Sequence, residues 1–448
     1  MKIVRVLIVL FLFGQQVNAQ AVWDLKRCIS YAMENNLQIK QAGVAALSSN
    51  YSFQTAKYAI LPSLNADASH SYNFGRGIDP TTNIYISDRQ IQVNSFSVSS
   101  SAALFNGGQR QYQRQVASLE WQAALQDLKK AQNDVAMNIA MAYLNVLFTK
   151  EQAQIAARQL DLTGQQKKQT TRLVEVGNIS ELSLLDVEAQ YANEESNLVG
   201  AQNNYVLAKL KLIQLLQLPM NMDIQVDTMQ FSMEAVKIPS ADPTEVFEFA
   251  RKTQPYILSQ QIRLLEARKQ TYVRRASFYP SLNVFGSIRT SYSSAMMNYF
   301  PDPLHPTKIS FSDQLNQNYG KAVGVSLSLP IFNGMQTHYA FQKARLGELN
   351  ASYNLQSAEL SLQQEVTQAI ANWKAAVAKF ESVQKYAASM QAAYDANAKK
   401  LNAGIINTLE FNTAKNNLAK SQSDLVSAKY DLLLKTKIVD FYLGRPLY

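Results

Sequence analysis

The chain has 448 residues, with 43 Lys or Arg against 34 Asp or Glu, a formal net charge of +9. The basic residues are scattered rather than gathered on one face, which argues against a nucleic-acid surface, and a single cysteine excludes an internal disulfide. Charged residues are only 17% of the chain, below the ~25% usual in soluble domains. Ala, Ser, Asn and Gln fill the gap, and no apolar run reaches the ~18 residues of a membrane helix.

Lys2 and Arg5 precede an apolar run from Val6 to Phe13 and then Val17-Asn18-Ala19. A charged start, a short apolar segment and a small-residue junction read as a secretory signal over residues 1–19, cleaved after Ala19. Cys28 lies well past that junction, so no lipid anchor on it is expected. The segment from Trp23 to Ala59 reads as helix. After Pro62, the residues Leu64, Ala66, Ala68, Tyr72 and Phe74 alternate with Ser63, Asn65, Asp67, Ser69, Ser71 and Asn73. That is a strand with one apolar and one small polar face, in a block near 62–75. A second strand is expected near 88–105. Its parity slips near Ser95, which predicts a bulge there.

Asn106-Gly107 then reads as a turn, followed by a stretch free of Gly and Pro from Gln109 to Thr163. Val135, Ile139, Ala142, Val146, Thr149, Ala153, Ala156 and Leu160 form a 3–4 seam along it. A sustained seam of this period indicates coiled-coil packing. Gly177 marks a hairpin tip. The return helix carries a second seam through Leu184, Val187, Tyr191, Glu194, Leu198, Ala201, Tyr205, Ala208 and Leu212.

Residues 220–242, closed by Pro239 and Pro243, read as a linker. The chain then repeats itself. Pro62-Ser63-Leu64-Asn65 returns as Pro280-Ser281-Leu282-Asn283, an offset of 218 (280 minus 62). Phe105-Asn106-Gly107 returns as Phe332-Asn333-Gly334, an offset of 227 (333 minus 106). Arg172 to Gly177 corresponds to Lys399 to Gly404 at the same offset. The difference lies between the two motifs, so the second half carries a longer insertion around Met296 to Asn318. The expected organisation is a first repeat over 20–219 and a second over 243–448. The second has strands near 280–292 and 319–330, a helix from Glu348 to Ala403 and a tip near 404. Its seams run through Leu362, Val366, Ala369, Trp373, Ala376, Phe380, Val383 and Ala387, and through Phe411, Ala414, Leu418, Ser421, Leu425, Ala428 and Leu432. Such self-similarity indicates duplicated structural units.

Four strands per chain cannot close a transmembrane barrel, whose smallest bacterial forms have eight, and open edges cannot face lipid. If these strands span a membrane, several chains share one barrel. The three histidines, His70, His305 and His338, have no ligand spacing. Gly75-Arg76-Gly77 is a strand-end loop and not a nucleotide fingerprint. No catalytic residue, cofactor or metal is therefore assigned, and no enzyme reading has a residue to rest on.

The doubled Pro-Ser-Leu-Asn, strand, strand and Phe-Asn-Gly block, with the doubled tip between long helices, resembles the TolC-like outer-membrane efflux family over essentially the whole mature chain. The resemblance implies a mainly α fold with a small β part. In it a homotrimeric α-helical barrel is continuous with a 12-stranded outer-membrane β-barrel, each chain giving four strands. It implies a passive duct, set in outer-membrane lipid and reaching into the periplasm. Its partners are a periplasmic adaptor (membrane fusion) protein and an inner-membrane transporter, in a tripartite efflux or type I secretion system. Arg172, Val176, Gly177, Lys399, Ala403 and Gly404 resemble the family's adaptor-docking tips. Asn106, Gly107, Asn333 and Gly334 fall at its strand-to-helix turns. Glu410 occupies one acidic position of the periplasmic gate, while Thr413 stands where a second acid is often found. Asn407 and Asn412 offer polar contacts at that gate. The rival reading is a surface or periplasmic coiled-coil binding or adhesion protein without a channel; the paired strand blocks count against it.

Overall fold

The computed structural model describes residues 22–447 apart from 76, 79–82, 84, 87–89, 228–241, 301, 303 and 404. The signal segment and most of the linker thus lie outside the described residues, as does the tip residue Gly404.

The first repeat runs α1 (Leu25–Asn35), α2 (Leu37–Tyr58), β1 (Ser63–Asn73), β2 (Ile91–Phe105), α3 (Gln109–Glu175) and α4 (Glu181–Leu216). The second runs α5 (Pro243–Thr253), α6 (Pro255–Ala276), β3 (Ser281–Ser293), α7 (Phe311–Gln317), β4 (Gly320–Ser328), α8 (Gln336–Asn402) and α9 (Thr408–Tyr442). The starts of α1, α2 and β1 map onto those of α5, α6 and β3 at the offset of 218, for example 243 minus 25. Both ends of α3 map onto those of α8 at 227, as in 336 minus 109 and 402 minus 175. The change of offset falls in the segment that holds α7, the predicted insertion.

The same break between the two short helices is made by different chemistry in each repeat. In the second, Pro255 follows Gln254, which is extended at φ −69° and ψ 123°, because a residue before proline is pushed out of the helical region. In the first, Asn36 is extended and its Oδ1 accepts from the Gln38 amide at 2.8 Å, a local side-chain cap in place of the imino ring. Asp24 and Asp242 start α1 and α5, accepting from the amides of Arg27 at 2.7 Å and Thr244 at 3.1 Å.

α3 and α8 each have 67 residues, about 100 Å of helix at 1.5 Å per residue. Both are longer than their Gly-free stretches. α3 passes through Gly164 and α8 begins before Gly347, since one helical glycine costs only about 1 kcal/mol and packed seams outweigh it. Every residue of the four predicted seams is buried or half-buried.

The chain forms two compact units, each drawing on both repeats. One holds the chain up to Ala45, Leu125–Ser259 and the chain from Gln356 onward. Its core joins Leu25, Cys28, Ile29 and Ala32 of α1 with Ile139, Tyr143 and Leu147 of α3 and Leu212 and Leu216 of α4. Trp23 bridges Val226 in parallel, and the buried Tyr143 hydroxyl donates to the carbonyls of Trp23 at 3.2 Å and Asp227 at 2.9 Å. Burial pushes the Cys28 thiol up to about 12.

The other unit holds Ala46–Ala124 and Gln260–Leu355. Its sheet is antiparallel throughout, in the order β1-β2-β3-β4, so the two repeats meet between β2 and β3. The bulge predicted near Ser95 is not there. Ile91 to Ser101 pair with β1 without interruption, from Asn73 to Ser63. The parity slip is instead a change of face. Ile91 and Val93 are buried on one side, whereas Phe96 and Val98 point to the other. The irregularity in β2 lies between Ala103 and Phe105, opposite β3.

Candidate functional site

Direct pairing fixes which side chains share a face of the sheet. One face carries Leu64, Ala66 and Ala68 of β1, Phe96 and Val98 of β2, Val284 and Ile288 of β3, and Val323, Val325 and Leu327 of β4. These apolar side chains are not hidden; Val323 is 87% exposed and Leu327 70%. A contiguous apolar patch of this kind marks a surface that meets another apolar phase. The other face carries Asn65, Asp67 and Ser69, then Ser95, Ser97, Ser99 and Ser101, then Ser287 and Arg289, then Ser326 and Ser328. Among the described residues β1 and β4 each pair on one side only. This is half-lipid, half-water alternation with two open edges, the pattern of a barrel segment and not of a finished barrel.

At the helix-bound end of the sheet, the two predicted turns have the conformation their glycines allow. Gly107 and Gly334 lie in the left-handed region at φ +64° and +63°. The first amides of α3 and α8 then bond back to Asn106 at 3.1 Å and Asn333 at 3.4 Å. The next position differs: Gly108 in one repeat, Met335 in the other, both with positive φ. Around these turns Tyr58, Leu61, Leu104, Phe278, Tyr279, Ile331 and Phe332 stand exposed. They form a belt rich in aromatic and aliphatic side chains, of the kind that sits at a membrane interface. Sequence reading missed this belt because its members are scattered over four segments.

The tips are equally matched. The Asn178 amide donates to the Leu173 carbonyl at 2.8 Å and the Ile405 amide to Lys400 at 2.9 Å, a six-residue closing bond of the Schellman type. Gly177 supplies the left-handed residue, at φ +76°. Val176 is 68% exposed at the end of the hairpin. Beyond the second tip Asn407 starts α9. Its Oδ1 accepts from the Glu410 amide at 2.9 Å and its Nδ2 donates to Glu410 Oε1 at 3.3 Å, a reciprocal cap. Thr413 donates back to the Leu409 carbonyl at 2.9 Å. Asn412 Oδ1 accepts from Gln166 Nε2 of α3 at 3.0 Å. Of the four positions expected at a gate, Asn412 thus reaches another long helix, while Asn407 and Glu410 serve the start of their own.

Next to Asn412 lies a polar layer that the apolar periodicity masked. Lys415 is 2% exposed between helices, and its Nζ donates to Thr163 Oγ1 at 3.0 Å and Gln166 Oε1 at 3.2 Å, both on α3. Burial pushes its pKa down, and the carboxylate of Glu194 on α4, itself buried, pulls it partly back. The Thr163 hydroxyl in turn donates to the Gln159 carbonyl at 3.0 Å. The legible signal was Glu194, a charge standing in an otherwise apolar seam. Among the described residues no His, Cys, Asp and Glu group has the arrangement of a metal site, and no helix is long and apolar enough to cross a membrane.

Residues 28–217 and 247–445 match the family described as outer membrane efflux protein, once for each repeat. The chain belongs to that family. It is an outer-membrane efflux protein, and the family's sheet and helices are those described above. Outer membrane protein TolC of Escherichia coli (strain K12) is 24% identical over 99% of this chain and 86% of its own length. Alkaline protease secretion protein AprF of Pseudomonas aeruginosa is 23% identical over 92% of this chain and 82% of its own. A crystal structure of CusC superimposes with a TM-score of 0.79 at 18% identity, covering 96% of each chain. The fold is therefore that of the family's outer-membrane channels, an α-helical barrel joined to a β-barrel.

Proposed function

We propose that three copies of the chain close into one twelve-stranded barrel, and that their helices continue it as a periplasmic tube through which solutes leave passively. The observation that carries this reading is the sheet: one face apolar and bare, the other polar, both edges open. Three such sheets joined edge to edge remove every open edge. The duct performs no chemistry of its own. Energy comes from an inner-membrane transporter, and a periplasmic adaptor docks on the hairpin tips around Arg172, Val176 and Gly177 and around Lys399, Ala403 and Gly404. The signal segment directs export and is removed after Ala19, leaving an unlipidated chain.

Glu410 contributes one carboxylate per chain to a ring at the closed end, where it favours cations, while Asn407 holds that carboxylate in place. The Asn412–Gln166 and Lys415–Thr163 bonds tie α9 to α3 and restrain the tip. Replacing Glu410 by Ala is expected to lower cation preference of the reconstituted pore; unchanged selectivity removes the ring. The partners are tested by photo-crosslinking residues placed at Asn178 and Ile405 in living cells. Capture of an adaptor with its inner-membrane transporter is the expected result. Capture of surface or extracellular partners alone overturns the orientation and restores a coiled-coil binding role.

A further inference from the structure

On the polar face of the sheet, most residues are Ser, Asn, Gly or Ala, with Ile91, Val93 and Phe285 as the apolar members. Asp67 and Arg289 are the ionisable residues among its described positions, and pairing places them in one row. Asp67 lies opposite Ser97, Ser97 opposite Arg289, and Arg289 opposite Gly320. Asp67 and Arg289 are thus two strands apart, roughly 10 Å at the ~4.8 Å spacing of a sheet, with a serine between them. Both are exposed, and among the described residues neither forms an ion pair. The Arg289 side chain lies over the edge strand. A Cβ added to Gly320 would sit 3.6 Å from its Cγ and Nε, so the row leaves the guanidinium room to extend. The other charged or titratable side chains of these strands, Lys321, His70, Tyr72 and Tyr292, belong to the opposite face, in register with Ile288, Asn94, Gln92 and Asn94.

We propose that Asp67 and Arg289 form a bipolar charge row in the water-filled bore of the barrel, which sorts departing solutes by charge and aligns zwitterionic ones. This rests on the reading of the sheet as a barrel wall with its polar face inward. An otherwise neutral wall gives these two side chains the local field. Two unlike charges at one height act across the path of a solute, not along it. Anions are held beside Arg289 and cations beside Asp67. A small zwitterion satisfies both at a spacing its own dipole can bridge.

The test places a reporter cysteine at Ser97, between the charges, in a Cys28→Ser background of the full chain expressed in cells. Membrane-impermeant methanethiosulfonates of opposite sign, sulfonatoethyl and trimethylammonium-ethyl, read the local potential through their rates. Arg289→Gln is expected to lower the anionic-to-cationic rate ratio roughly threefold or more, and Asp67→Asn to raise it by a similar factor, the size of one charge at this range in water. The double variant returns near the starting ratio. If the cysteine labels but the ratio moves in neither variant, the charge row is overturned while the wall stands. If Ser97→Cys does not label and Val98→Cys does, the assignment of faces fails, and the wall with it.

Discussion

Gly107 and Gly334 share a place in the two repeats and a backbone conformation, yet their surroundings differ. A Cβ on Gly107 would meet the Ala276 carbonyl oxygen at 2.7 Å and Tyr279 Cβ at 2.8 Å, whereas one on Gly334 would meet nothing within 4 Å. Gly334→Ala is expected to cost about 1 kcal/mol, the left-handed conformation alone. Gly107→Ala is expected to cost about 3 kcal/mol, because overpacking adds to it. Urea unfolding of the two variants checks this; equal losses would mean that the close contacts relax freely. Met335 holds a positive φ of +64° where the first repeat has Gly108. Met335→Gly should therefore raise stability by about 0.5–1 kcal/mol, the relieved strain less the added chain entropy. The turns themselves were legible, since only glycine enters that conformation cheaply. The strain at Met335 was not, because nothing in a methionine's neighbours announces its φ.

The long helices show how far a seam reads through and where it stops. Apolar spacing named all four seams, because the same 3–4 period that a reader sees is what packing buries. It did not give the helix ends, since Gly164 and Gly347 sit inside helices that tertiary contacts sustain. Nor did it show Lys415, one residue off the seam and buried all the same. With its pKa lowered from 10.5, Lys415 is charged at a cost in the fold. Stability is withheld below the folded pKa and recovered as pH rises through it toward 10.5. Lys415→Met is expected to stabilise the coil by about 1 kcal/mol or more and to abolish that alkaline gain. Glu194→Ala, which removes the carboxylate that offsets part of the burial cost, is expected to destabilise by about 1 kcal/mol. Melting temperatures of the two variants against wild type, measured from neutral to alkaline pH, decide it. Opposite signs support the layer as drawn. Destabilisation in both would mean that the bonds to Thr163 and Gln166 outweigh the burial.

For the whole molecule, the duplication was the most legible feature, because indels and motifs report chain order directly. What sequence order concealed is that each compact unit takes segments from both repeats, and that the repeats meet between β2 and β3. Such contacts join residues far apart in the chain and leave no local trace. The candidate gate was legible only through family likeness, since Asn407 and Glu410 look like any helix start until the tip is assigned. The wall reading makes the two faces unequal. Val325→Lys, on the bare apolar face, should cost about 2–4 kcal/mol on insertion near mid-bilayer, while Ser326→Lys next to it should be tolerated; the yield of heat-modifiable, membrane-inserted protein separates them. The central claim, that copies of this chain enclose a continuous aqueous path, is tested most directly by planar-bilayer recording of the purified protein. Discrete conductance steps that disappear with Val325→Lys and persist with Ser326→Lys are the predicted result. Inserted wild-type protein that passes no current under any applied voltage would contradict it.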